Sequence, residues 1–110
     1  MYMNEIIKEL YATILDRKAN PIKDSYTNYL FEKGVDKILK KVGEECTETV
    51  IAAKNNDPKE LVMETCDLVY HLLVLLANQG IDLKDVEAEL IKREAKTGNK
   101  KPERREIENL

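Results

Sequence analysis

Tryptophan is absent, phenylalanine occurs once, and glycine and proline number only four and three in 110 residues. Strands draw on alternating β-branched and aromatic residues, and hairpins on Asn-Gly or Asp-Gly pairs. The chain has no such dipeptide and no sustained alternation, so a β architecture is excluded. Cysteine is nearly absent too. Cys46 and Cys66 form no C-x-x-C and no Cys/His spacing, which rules out a zinc site or a disulfide framework. Both lie in apolar helical patterns and read as small buried core residues in a reducing compartment. An excess of basic charge is also missing: 18 Lys and Arg against 21 Asp and Glu leave a net charge of -3. That is not the balance of a nucleic-acid-binding protein. The longest apolar run, Leu72 to Ala77, is far too short to span a membrane. The first residues carry no apolar signal region, and the chain reads as soluble and cytoplasmic. There is no Gly-rich phosphate loop and no Ser/His/Asp pattern.

What remains is helical periodicity, with 43% apolar and 35% charged residues. The chain is predicted to be all-α, a bundle of about five helices over 1–96 followed by a charged C-terminal tail over 97–110. The tail alternates charges and reads as disordered or as an arm that orders on a partner or substrate. The first helix is expected over Asn4 to Lys18, with Ile6, Ile7, Leu10, Ile14 and Leu15 as its apolar stripe. Asp24 or Ser25 caps a short helix through Leu30 and Phe31 that stops near Gly34. The third helix runs from Val35 to Lys54, with Cys46 and Val50 on one side and Glu44, Glu45 and Glu48 on the adjoining side. Gly43 within it implies a close approach by another backbone or a ligand. Asp57-Pro58-Lys59-Glu60 combines a cap, a proline at the first helical position and a capping-box glutamate. The fourth helix then runs to Asn78. It is apolar almost all round, and part of it is expected to face a second subunit. Asp82 caps the fifth, Leu83 to Lys96, with Val86, Leu90 and Ile91 inward.

The chemistry concentrates between Lys40 and His71. Positions i and i+3 of a helix share a face. Glu45 with Glu48, and Glu64 with Asp67, are therefore carboxylate pairs, and antiparallel packing of their helices brings the pairs together. Clustered hard oxygen ligands suit Mg²⁺, the usual partner of a phosphate substrate. An acidic run on a helix is often just a solvated face. Glu64 and Asp67, however, interrupt a greasy helix, where a carboxylate is costly unless paired or metal-bound. The bland alternative is a set of salt bridges to Lys37, Lys40 or Lys41. Those lysines are also candidate phosphate contacts. His71, four residues after Asp67, is either a substrate contact or base, or a core histidine with a hydrogen-bonded neighbour.

Glu44-Glu45-x-x-Glu48 followed by Glu64-x-x-Asp67 resembles the signature of the all-α nucleoside triphosphate pyrophosphatases, the MazG-like superfamily. Ser25-Tyr26-Thr27-x-x-Leu30-Phe31-x-x-Gly34, the Lys37 to Glu45 segment, and Asp67 to Leu76 resemble one branch, phosphoribosyl-ATP pyrophosphatase. The likeness covers about Leu10 to Arg93. Cys46 and Cys66 depart from it, standing where the branch usually has alanine. The resemblance implies a helical homodimer that hydrolyses phosphoribosyl-ATP to phosphoribosyl-AMP and pyrophosphate in histidine biosynthesis. It implies Mg²⁺ held by Glu45, Glu48, Glu64 and Asp67, with Glu44 as a further carboxylate. Lys37, Lys40 and Lys41 would contact phosphates, and His71 would help close the site. The competing readings are a house-cleaning pyrophosphatase for free nucleotides and a non-catalytic helical dimerisation or cation-binding module.

Overall fold

The computed structural model describes residues 3–96, and the expected tail over 97–110 lies outside them. The described residues form five α-helices and no strand: α1 Met3–Ala19, α2 Tyr26–Lys33, α3 Val35–Lys54, α4 Pro58–Asn78 and α5 Leu83–Glu94. The third and fourth match the predicted spans, and the fifth stops two residues short, at Glu94 rather than Lys96.

Local chemistry sets these boundaries. Ser25 caps α2, its hydroxyl accepting from the Asn28 amide at 3.2 Å. Gly34 ends α2 at φ +91 and starts α3 in the same residue, its amide donating to the Leu30 carbonyl at 3.0 Å. The α3–α4 turn closes with Asn56 at φ 52, its amide on the Ala53 carbonyl at 3.1 Å and the Asp57 amide on the Ala52 carbonyl at 3.1 Å. That is the paired 5→2 and 6→1 pattern of a Schellman stop. Gly80, at φ 70, repeats it after α4: Gly80 donates to Ala77 and Ile81 to Leu76. Asp57 then caps α4 through the Glu60 amide, and Asp82 caps α5 through the Lys84 amide.

The principal pairing is α3 against α4, a helical hairpin over which α1 and α2 are laid. The core is small. It comprises Tyr11, Ile14, Leu30, Ile38, Leu73, Val74 and Ala77. Tyr11 was not in the predicted stripe, whereas Ile6 and Leu15, which were, are exposed. The Tyr11 ring is buried while its hydroxyl donates to the Ile81 carbonyl, which fastens α1 to the turn after α4. Asn28 ties the α1–α2 loop, donating to the Arg17 carbonyl at 2.6 Å and accepting from the Ile22 amide at 3.0 Å.

Several expected faces are reversed. In α3 the residues turned inward are Ile38, Glu45 and Ala52, while Leu39, Cys46 and Val50 lie exposed. In α4 Val62, Met63, Cys66 and Leu72 are exposed, so that helix does have an open face. The two cysteines are therefore surface residues of the single chain rather than core residues. In α5 Leu90 and Ile91, expected inward, are exposed, and no α5 residue is buried. The cause is common to all three helices: periodicity marks an apolar face, but the described chain has too few helices to cover every such face. Gly43 meets nothing within 4 Å of where a Cβ would stand, so among the described residues no other backbone approaches it closely.

Gly34 also has open space around a would-be Cβ, so only its positive φ requires glycine. Gly34→Ala is expected to lower stability by about 1–3 kcal/mol, the cost of holding an L residue at φ 91 and ψ -175, a conformation essentially reserved for glycine. Urea denaturation followed by helical circular dichroism measures the loss.

Candidate active site

The site forms where α3 and α4 face each other. Glu45 lies seven residues from both Ile38 and Ala52, so it takes a position in the inward stripe that is otherwise apolar. Glu64 lies seven residues before His71 on the buried face of α4. Helical register thus carries both carboxylates inside: Glu45 is 5% exposed and Glu64 8%. Glu48, one turn along from Glu45, approaches from the solvent side. Ligand oxygens of Glu45, Glu48 and Glu64 all lie within 4.8 Å of one another.

Three carboxylates this close cannot all hold their charge unaided. The Glu64 carboxyl is pushed up to about 8, by hydrogen bonding to Glu48 first, then to Glu45, then by burial. Glu45 Oε2 and Glu64 Oε2 are buried with no hydrogen-bond partner. Orphaned buried carboxylate oxygens are expensive. A hard divalent cation would use both, and the all-oxygen donor set is that of Mg²⁺. The residues present therefore fit the ion.

Asp67 is not in that group. It is exposed one turn beyond Glu64, and its backbone carbonyl accepts from His71 Nδ1 at 2.7 Å. Glu44 is held apart as well, bonded to Lys41 Nζ at 3.2 Å with Lys40 Nζ 4.0 Å away. The Lys41 hydrogen bond is the main cause that lowers the Glu44 pKa, and the same bond raises that of Lys41, so both stay charged. Lys41 Nζ also stands 3.5 Å from Glu45 Oε1, at the edge of the carboxylate group. Lys37 is turned to the Tyr29 ring, 6.0 Å from its centroid, beside Lys33 at 5.8 Å.

His71 is 5% exposed, and both its nitrogens are engaged within the fold. A carbonyl only accepts, so Nδ1 carries the proton toward Asp67, and Nε2 accepts from the Tyr26 hydroxyl at 2.9 Å. Burial raises the Tyr26 pKa against the opposing pull of Lys41, which keeps the phenol protonated as a donor. The hydroxyls of Thr27 and Tyr70 meet beside it. Tyr26 is the contact that sequence reasoning did not single out, although the Ser25-Tyr26-Thr27 segment signalled it. Glu60, expected only as a capping-box partner, also helps raise the Glu64 pKa.

Five helices, with carboxylates from two adjacent ones converging beside lysines, agree with the resemblance of the sequence to the all-α pyrophosphatases. The family model described as phosphoribosyl-ATP pyrophosphohydrolase matches residues 7–94. A Clostridium acetobutylicum protein named phosphoribosyl-ATP pyrophosphatase is 60% identical over 110 residues, covering 100% of both chains. Proteins of the same name from Clostridium novyi and Bacillus cereus are 58% and 55% identical. They cover 96% and 98% of this chain and 96% and 100% of their own. The chain belongs to the phosphoribosyl-ATP pyrophosphatase family.

Glu64 titrates from an unfolded-state value near 4.5 to about 8 in the fold, so the native state holds a proton that the unfolded chain releases in between. Stability must then fall as pH rises through that window. With chelator present, the melting temperature is expected to drop between pH 5 and pH 8 and to drop less in Glu64→Gln. Thermal melts across that range check it.

Proposed function

We propose that this chain is a Mg²⁺-dependent hydrolase that converts phosphoribosyl-ATP to phosphoribosyl-AMP and pyrophosphate, the second step of histidine biosynthesis. The observation that carries the reading is the group of Glu45, Glu48 and Glu64, with two buried oxygens left unpartnered, in a member of this family. Water adds across the α–β anhydride: its oxygen bonds to one phosphorus, the bridging P–O bond breaks with its electrons going to the phosphate group that is not attacked, and a water proton passes to solvent. Mg²⁺, when bound, supplies neutralisation of the leaving charge and acidifies water.

The chain's own groups do the rest. Glu45, Glu48 and Glu64 hold the cation, and Asp67 adds a carboxylate one turn further along α4. Lys41, at the edge of the group, and Lys40, more exposed, offer point charges to phosphate oxygens. Lys37 continues the basic face past the Tyr29 ring. Glu44 keeps Lys40 and Lys41 close at hand. His71 fixes the wall of the site, joining α4 to α2 through Tyr26.

The functional unit is proposed to be a cytoplasmic homodimer. Leu39, Val42, Cys46, Val50 and Ala53 fall within one stripe of α3, and Leu39, Cys46 and Val50 are exposed. Val62, Met63 and Cys66 continue an open apolar surface on α4. Apolar area of this extent is covered in stable proteins. No helix among the described residues is long and apolar enough to cross a membrane, so the surface is not a membrane span. Val50→Glu, which places a charge on the stripe, is expected to yield monomers by light scattering after gel filtration.

Pyrophosphate release is expected from phosphoribosyl-ATP with Mg²⁺, and not from free ATP or in the presence of chelator. Glu64→Gln should lower turnover by a factor of about 10³ or more, as loss of a principal charge-stabilising group does, with helical circular dichroism unchanged. Equal turnover of free nucleotides would point to a house-cleaning pyrophosphatase instead.

A further inference from the structure

A basic and aromatic surface lies where α2 joins α3, apart from the carboxylates. The Tyr29 ring of α2 is 39% exposed. Two ammonium groups share it: Lys33 Nζ is 5.8 Å from its centroid and Lys37 Nζ 6.0 Å. Lys33 closes α2 and Lys37 lies near the start of α3, so the pair comes from both sides of Gly34. Attraction to the ring holds each ammonium in place without neutralising it. Among the described residues neither lysine forms an ion pair, whereas Lys40 and Lys41 both pair with Glu44. Like charges gathered on one ring repel, and an anion between them removes that cost.

The backbone adds to this. α3 starts at Gly34 without a side-chain cap. The first amides of a helix have no acceptor within it, and its N-terminus favours negative charge. Side chains tilt towards the N-terminus of their helix, so Lys37 leans over that uncapped turn. Asp36, in the same turn, pairs with neither lysine.

A row of rings joins this surface to the carboxylates. Tyr26 stacks on Tyr29 at 6.0 Å and on Tyr70 at 6.1 Å, and its hydroxyl meets His71. On α3, Lys41 follows Lys37 by one turn and stands 3.5 Å from Glu45 Oε1. Lys37 and Glu45 are about 12 Å apart along the helix. A nucleotide whose anhydride lies at the carboxylates would put the far side of its nucleoside at Tyr29. Free ATP carries no charge there. Phosphoribosyl-ATP carries a second ribose with a 5′-phosphate, a monoester of about −1.5 to −2 charge near neutral pH.

We propose that Lys33 and Lys37, steadied on Tyr29, bind the 5′-phosphate of the phosphoribosyl arm and so separate this substrate from free nucleotides. This assignment rests on the hydrolysis proposed above and adds a recognition site to it. Lys40 and Lys41, beside Glu44 and Glu45, serve the triphosphate, and Lys33 with Lys37 serves the monoester at the other end. Tyr29 is a positioning residue that keeps the two ammonium groups together.

Steady-state kinetics of the full chain on phosphoribosyl-ATP and on ribosyl-ATP, which lacks only the 5′-phosphate, tests the site. Loss of that phosphate is expected to cost the wild type about tenfold or more in kcat/KM, chiefly through KM, because hydrogen bonds between charged groups are the strong ones. In the Lys33→Gln, Lys37→Gln double variant the two substrates should differ by less than about threefold, the mark of a direct coupling, with circular dichroism unchanged. Each single variant should fall in between. Tyr29→Leu should lose part of the discrimination and Tyr29→Phe should restore it. Lys92→Gln, on α5, should discriminate as the wild type does. If the wild type turns over both substrates equally, or the double variant discriminates as the wild type does, the site is refuted while the hydrolytic reading stands. If the wild type releases pyrophosphate from neither substrate, the hydrolytic reading fails and the site with it.

Discussion

The constraint on which the structure depends is the placement of carboxylates inside the seam between α3 and α4. Elsewhere the buried residues of these two helices include Ile38, Ala52, Val74 and Ala77. At Glu45 and Glu64 the seam holds carboxyl groups, which are costly to desolvate as unpaired charges. The fold answers in two ways. Glu64 retains a proton, held by Glu48 and Glu45. Lys41 lies against Glu45 Oε1 without reaching the second oxygen, which stays orphaned. A site built only for stability would place an apolar residue at both positions. The retained strain is the property a cation-binding site needs, since binding then relieves a cost already incurred.

The other elements serve to hold this seam in register. The Schellman stop at Asn56 and the Asp57 cap fix how far α4 is displaced along α3, and with it the height at which Glu64 meets Glu45 and Glu48. The short helix α2 sits across the opposite end. Its Tyr26 hydroxyl reaches His71 Nε2, and His71 in turn holds the Asp67 carbonyl, so a single chain of hydrogen bonds runs from α2 into the carboxylate-bearing helix. The Tyr26, Tyr70 and His71 rings pack edge-on and stacked around it, which leaves the histidine no freedom to act at a distance from its partners. Both ring nitrogens of His71 thus have partners within the fold.

Much of this was legible in the residues. Capping chemistry is local, so Ser25, Gly34, Asp57-Pro58, Gly80 and Asp82 placed the helix ends within a residue or two. The convergence of Glu45, Glu48 and Glu64 followed from i, i+3 spacing and a short turn. What was not legible was which side of each helix the single chain would cover. Periodicity on α3 marked Cys46 and Val50 as inward, yet Glu45 lies inside and they lie outside. The pattern records every apolar face and does not say which neighbour covers it. The same ambiguity hid Glu60. Its position satisfied a capping-box rule, and only the observed Asp57 to Ala52 hydrogen bond shows that the side chain is not needed there.

The reversed faces and the buried acids are two sides of one allocation. A helix has a limited width of surface to offer. In α3 the inward arc is shared with Glu45, and in α4 with Glu64 and His71, so the apolar stripes through Cys46 and Cys66 are left facing away. At about 25 cal/mol per Å² of apolar surface removed from water, the seven residues of the core cluster give this hairpin a modest hydrophobic gain. Part of that gain is offset by the carboxylates. A hairpin that carries charge on its inner side must draw its remaining stability from its outer side. That accounts for the exposed apolar stripes on α3 and α4, the surface on which the proposed homodimer rests.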